Sequence, residues 1–380
     1  MTGVPVVRFS RSRPLRALGA VLCVAVMIGG LVTARSGAAQ TGPALRSVDR
    51  PVEVALDPAY QYYDTEAGRA FNQFSTRLTA SVPIGQRVTV EGRFGYARVD
   101  GDRLSQIQGL TDAVGRVSYA QPMGEGSLVV GTTLNAPVGT QNLSAEEFRT
   151  ARLFSRNYYD VRVSSFSRGF SVSPHVTWAV PVSDRLAVGI GGGYQHQRGF
   201  EPRADRGEYV PGDGVEGNAG FDYKLTQASS VGVDVSVRRY EEDRLEGTRR
   251  FDAGTRVAGT LRYLFRSGFT TVRAVARYAS WDESAFGYQF GGANRGQVIP
   301  SHALVLGSLQ TRLTEAVDLQ VEASGHHYAE TIQADAKRFG RLSVTPSVEV
   351  ADGVILAPHG TATYGSYLGL GGGLRIEGEF

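Results

Sequence analysis

The chain has 380 residues, with 40 Lys and Arg against 37 Asp and Glu and a single cysteine, Cys23. One cysteine excludes an internal disulfide and a cysteine-based metal site. Five arginines and no acids precede Gln40, leaving 35 basic against 37 acidic residues beyond it, a net charge of −2; nucleic-acid binding loses its electrostatic support.

Arg8, Arg11, Arg13 and Arg16 precede an apolar stretch, Ala17 to Val32, and then the small residues Ser36-Gly37-Ala38-Ala39. This is the pattern of a secretory signal peptide over 1–39, cut between Ala39 and Gln40. A retained anchor is the alternative, but the apolar stretch is short for a membrane span. Leu22 stands where a lipoprotein site at Cys23 would need a small residue. Residues 40–50 are expected to be a short periplasmic segment, too short for an energised-uptake plug domain, and 51–380 a single domain. No later segment has a run of about 18 apolar residues, so no spanning helix is expected.

Forty-eight glycines, seventeen tyrosines and seventeen phenylalanines point to β-structure. From Pro51 onward, apolar and polar residues alternate. In "RVTVEGRFGYARV", Val88, Val90, Phe94 and Tyr96 share one parity, and Arg87, Thr89, Glu91 and Arg93 the other. "VEGNAGFDYKL", "SVGVDVSVR" and "VDLQVEASGHHY" repeat the scheme. Alternation sustained over about ten residues describes strands that face two solvents. Short turns near Pro83, Pro122, Pro181, Thr226, Ser267, Thr314 and Asp352 alternate with longer polar loops near Asp100, Asn142, Arg203, Glu242, Glu283 and Gln333. That rhythm belongs to an up-and-down barrel with tight periplasmic turns and long outer loops, and closure removes the sheet edges that hydrocarbon would not tolerate.

A soluble β-sandwich is the competing fold, and aromatic placement separates the two. Tyr119, Trp178, Tyr223, Tyr263, Phe265 and Phe380 sit beside short turns; Phe94, Tyr96, Phe170, Tyr194, Phe251 and Tyr278 sit beside long loops. Two girdles with small or aliphatic residues between them fit two membrane interfaces rather than one core. The fold class is therefore all-β: a transmembrane antiparallel barrel of sixteen strands, beginning with Pro51 to Asp64, or fourteen if two weak segments fail. Its last strand is expected to turn Leu368, Leu370, Leu374, Ile376 and Phe380 to lipid, and Arg375, Glu377 and Glu379 to the lumen. The final aromatic, Phe380, resembles the signal read by barrel-assembly machinery.

"QGLTDAVGRVSYA" (Gln108 to Ala120) and "GTTLNAPVGTQNLSAEE" (Gly131 to Glu147) resemble the phenol meta-cleavage-associated transporters, distant relatives of the FadL-type outer-membrane channels. In that family's pattern a Gly-Leu-Gly-Asp motif opens one strand and Leu-Pro-Thr-Gly ends the next. Thr111 replaces the second glycine, and Ala136-Pro137-Val138-Gly139 replaces the later motif. The resemblance implies a barrel that admits small, often hydrophobic molecules. FadL-type channels carry an N-terminal hatch; here only 40–50 precede the first expected strand.

Lumen-side parity collects Arg77, Arg87, Arg93, Arg116, Arg256, Arg262, Arg273, Arg277 and Arg341, with acids that include Asp318 and Glu322. In the hairpin turning at Ser267, Arg262 is expected directly opposite Arg273 and Arg256 diagonal to Arg277. Such a wall needs a partner, since like charges across a strand pair repel; neighbouring acids and water, an inserted acidic loop, or passing anions would each serve. The loop Gly139 to Ser167 contains "LSAEEFRTARLF", a short helix with Ser144 as N-cap and Glu147 completing a capping box. Folded inward, it would offer Glu146 and Glu147 to the arginine wall; left outside, it would be a solvated surface loop.

The glycines at 189, 191–193 and 371–373 lie within strands and precede no helix, so the dinucleotide reading fails. They are expected to permit bends or leave room inside the barrel. His326 and His327 face opposite ways and cannot chelate together, and no serine or carboxylate is fixed by spacing beside His196 or His327. No catalytic group, cofactor or metal is expected. The function expected is a porin-like outer-membrane channel for small solutes, hydrophobic, aromatic or anionic, with lipid, assembly machinery and solutes as partners and no nucleic acid. The alternative is a structural or adhesive barrel that presents its loops.

Overall fold

Each alternating stretch becomes a strand because its two faces meet different surroundings. The computed structural model describes residues 51–65, 70–155, 159–289 and 292–380; the leader expected over 1–39, with Cys23, and the segment 40–50 lie outside them. Sixteen antiparallel wall positions follow one another: Glu53–Thr65, Ala70–Ile84, Val88–Gly101, the interrupted strand Leu104–Leu110 and Ala113–Met123, Gly126–Ala136, Ser171–Pro181, Leu186–Gln197, Gly214–Lys224, Ser229–Tyr240, Thr255–Ser267, Thr270–Trp281, His302–Thr314, Val317–Tyr328, Lys337–Ala351, Val354–Gly365 and Tyr367–Glu379. The first strand pairs with both the second and the last, which closes the ring. Every wall strand then has a partner on each side, as hydrocarbon requires of backbone N–H and C=O groups.

The exterior is apolar at mid-height. Ile190, Leu261 and Val305 point outward and are 59, 49 and 64 % exposed. Tyr119, Trp178, Tyr223, Tyr263 and Phe380 are exposed at the turn end, and Tyr194 and Tyr278 at the loop end. This is a bilayer-facing band between two aromatic girdles. Phe251 departs from the expected girdle: it sits in the strand Thr248–Asp252, outside the ring. Phe380 pairs its backbone with Val52, N–H to carbonyl in both directions at 2.9 Å.

Outside the ring, three loops combine into a second, five-stranded sheet. Its strands are Tyr209–Val210, Asp243–Leu245, Thr248–Asp252, Ser284–Gln289 and Gly292–Gly296. These segments were expected to be plain loops; they form a crown over one arc of the ring.

The buried core lies inside the barrel rather than between sheets. Inward Tyr63, Phe71, Val99, Ile107, Phe339 and Tyr367 pack against Phe154, Tyr159 and Phe166 of the loop between Ala136 and Ser171. The limb from Tyr159 to Phe166 lies against the inner wall, and the helix Ala145–Phe154 packs on the outer strand half Leu104–Leu110.

Candidate functional site

The inward loop departs where the wall is interrupted. The fourth wall strand breaks at Thr111-Asp112: its outer half, Leu104–Leu110, pairs with Val88–Gly101, and its inner half, Ala113–Met123, continues the ring. Asp112 is buried, and its carboxylate collects both ends of the loop. Oδ1 accepts the Gly139 N–H at 3.1 Å. Oδ2 accepts the Arg168 N–H at 2.7 Å, the Asn135 amide at 2.8 Å and the Ser167 hydroxyl at 3.3 Å. The Asp112 N–H donates to the Phe166 carbonyl at 2.9 Å. A Cβ at position 139 would stand 2.0 Å from the Phe166 carbonyl oxygen, so the crossing admits only glycine there. Asp112 and Gly139, the motif residues that carry the family resemblance, thus meet in a structural staple.

Deeper in, the returning limb is held by the wall. Arg162 forms an ion pair with Asp57 and approaches His359 Nε2 at 3.1 Å. Its N–H donates to Gln61 Oε1 at 2.9 Å, and its carbonyl accepts from Arg77 at 2.9 Å. Gln73 exchanges two hydrogen bonds with the Val163 backbone, at 2.8 and 2.9 Å. Asp160 pairs with Arg341, and the Tyr63 and Tyr367 hydroxyls donate to the carbonyls of Asp160 and Tyr159. Glycine makes room for these wall side chains: a Cβ at Gly371 would crowd Gln61 and Thr361, and one at Gly373 would crowd His359.

The expected acids of the loop do not reach the arginine wall. Glu147 accepts the Ser144 N–H at 2.8 Å while Ser144 Oγ caps Glu147 N, so its carboxylate is used within the helix. Glu146 pairs with Arg149 at 3.2 Å in an exposed i,i+3 contact. The residues that do enter, Asp160 and Arg162, carry no local sequence signal. The arginine wall itself lies across the ring from the loop.

Its register also differs from expectation. Arg262 stands opposite Val275, Arg273 opposite Leu264 and Arg277 opposite Thr260. Arg262 is therefore diagonal to both Arg273 and Arg277, and Arg256 faces Trp281, over whose ring it lies at 5.8 Å. The apex is Gly268-Phe269, one residue beyond the expected turn, because Gly268 supplies the positive φ (55°) that such a two-residue turn needs. Arg262 pairs with Asp222 at 3.3 Å and Asp234 at 3.0 Å, so neighbouring acids neutralise part of the wall. Arg273 and Arg277 make no ion pair among the described residues. Asp318 pairs with Arg312 at 3.2 Å. Ser308 stands between Glu322 and Arg273 along the inner face.

Two cavities flank the returning limb. An outer one of about 450 Å³ is lined by Leu143, Phe148, Phe200, Pro202 and Tyr209 with Arg152 and Arg168, and by no carboxylate. An inner one of about 310 Å³ lies between the limb and the wall. Ser164, Ser165, Phe166 and Arg168 line both.

Away from the lumen, His196 Nδ1 lies 2.9 Å from Asp213. That carboxylate partner was not expected; no serine hydroxyl joins the pair among the described residues. His326 stacks between His302 and Phe339 inside the ring, while His327 pairs outward with Arg338. No cluster of three metal-ligating side chains occurs among the described residues.

No protein-family model matches the chain, and no curated protein matches it. Several solved structures are similar. The COG4313 outer membrane channel from Pseudomonas putida F1 is 11 % identical, with 91 % of this chain and 100 % of that one covered at a TM-score of 0.39. The CymD monoaromatic hydrocarbon channel is 12 % identical, covering 87 % and 89 %, at 0.45. Pseudomonas aeruginosa OccK11 (OpdR) is 12 % identical, covering 87 % and 96 %, at 0.45.

Proposed function

We propose that the protein is a bacterial outer-membrane channel for small solutes, narrowed by its own third outer loop, with anions favoured. The observation that carries this reading is the loop limb around Arg162, fixed inside a closed ring by side chains of at least five wall strands. A barrel built only as a scaffold gains nothing from holding a polar, hydrogen-bonded segment against its inner wall. Restriction of a water-filled lumen gives that segment a purpose. The preference for anions rests on Arg273 and Arg277, which have no acidic partner among the described residues, and on the arginines that line the inner cavity.

The crown of outer loops favours a second reading, in which the barrel presents a surface to partners and conducts nothing. Planar-bilayer recording separates the two. The channel reading expects stepwise currents, larger when residues 141–165 are replaced by a flexible Gly-Ser linker, and a reversal potential in a salt gradient that indicates anion preference. Absence of steps in both proteins would leave only the presenting barrel.

A further inference from the structure

The inner cavity has a charge balance that its own walls leave open. Arg77, Arg93, Arg162 and Arg168 line it, and Asp112 is its one acidic lining residue. Both Asp112 oxygens are already engaged by the four donors of the staple. Arg162 has Asp57, but among the described residues Arg93 has no ion-pair partner and the guanidinium of Arg168 reaches only the Ser164 hydroxyl, at 3.4 Å. Guanidinium groups stay charged at any physiological pH, so an anion from outside relieves their mutual repulsion; Arg93 and Arg168 are both open to solvent, and Arg93 also borders a neighbouring cavity lined by Glu53, Glu91 and Glu377. Val114, Val163 and Phe166 supply an apolar face beside them.

We infer that this cleft is a binding site for a small organic carboxylate. The head group lies between Arg93 and Arg168, where planar N–H forks match a carboxylate's two oxygens, and the compact apolar body lies against Val163 and Phe166. Arg168 also lines the outer, largely apolar cavity. It is therefore the one cation that meets the solute on both sides of the limb, and the Asp112 staple sets its position. The inference rests on the channel reading in that solute must reach the lumen, but binding is measured without transport, so the two fail separately.

The test is calorimetric titration of the detergent-solubilised full chain with benzoate and, separately, with inorganic phosphate in chloride-free buffer. Heat-modifiable gel migration verifies folding of each variant. Benzoate binds the wild type more tightly than phosphate does. Arg93→Gln and Arg168→Gln each weaken it by about tenfold or more, the scale of one charge-assisted contact, whereas Arg338→Gln, on the outward side beside His327, leaves it unchanged. Arg168→Lys, which keeps the charge and loses the fork, recovers only part of the affinity. The site is refuted by absence of benzoate heat in the wild type, by equal weakening in Arg338→Gln, or by phosphate binding as tightly as benzoate. Benzoate binding in a barrel that never conducts would support the site and remove the channel.

Discussion

Asp57 on the first wall strand and Arg162 on the inward loop are ion-paired inside the barrel, 105 residues apart in sequence. Both are mostly buried; the pair uses Asp57 Oδ2, and Oδ1 has no hydrogen-bond partner among the described residues. Removing one member of such a pair strands the other, at a cost of about 3–5 kcal/mol in a dry interior and less beside a wet lumen. Arg162→Gln and Asp57→Asn should each free the limb and raise both single-channel conductance and open-level noise. The double variant, with no stranded charge, should regain stability while keeping the noisy, wider pore. Wild-type conductance and noise in both single variants would show that this pair does not hold the loop.

Exchange of the two helix acids should separate their roles. Glu147 completes a capping box, and its loss leaves the Ser144 N–H without its acceptor while the Ser144 hydroxyl still caps residue 147. Glu147→Ala is expected to fray the helix Ala145–Phe154 and speed proteolysis there. Glu146→Ala removes only an exposed pair with Arg149 and should change neither protease sensitivity nor ion preference. A shift in reversal potential for Glu146→Ala would restore the idea that this acid faces the permeating ions.

What could be read from the sequence was what is local. Sixteen wall strands were legible because alternation such as Val231, Val233 and Val235 against Asp234 and Ser236 reports two solvents within one strand. The Ser144 and Glu147 cap was legible because its partners are three residues apart. The arginine register slipped by two because the turn was centred a residue early, and an antiparallel hairpin doubles any such error. The Asp57–Arg162 tether was invisible, since a charge pair 105 residues apart leaves no periodicity. The crown was hidden for another reason: several of its strands, Tyr209–Val210 the shortest, span too few residues to show alternation.

The two faces of one sheet region should respond oppositely to the same charge. Leu261 lies outward at the centre of its strand, and Ser236, on the neighbouring strand, lies on the lumen parity beside Ala258. Arginine at a lipid-facing midplane position costs about 2–4 kcal/mol. Leu261→Arg should lower the urea midpoint of the liposome-inserted barrel accordingly, whereas Ser236→Arg should leave it near wild type. Equal destabilisation by both would remove the assignment of hydrocarbon to one face and water to the other.

The crown should tighten in mild acid. Burial raises the pKa of Asp243 in the strand Asp243–Leu245, although its hydrogen bonds from the Tyr209 hydroxyl and the Gly212 N–H oppose the shift. The folded crown therefore holds a proton more strongly than the opened loop, whose ordinary value is 3.8. By linkage, the crown's stability is greatest below that ordinary value and falls as pH rises through the raised one. Hydrogen exchange of the backbone amides from 241 to 254, corrected for the intrinsic pH effect, should show stronger protection near pH 4 than at pH 7. Asp243→Asn, neutral at both, should flatten the difference. Protection that increases with pH in the wild type would mean that the carboxylate is held by its donors more than it is penalised by burial.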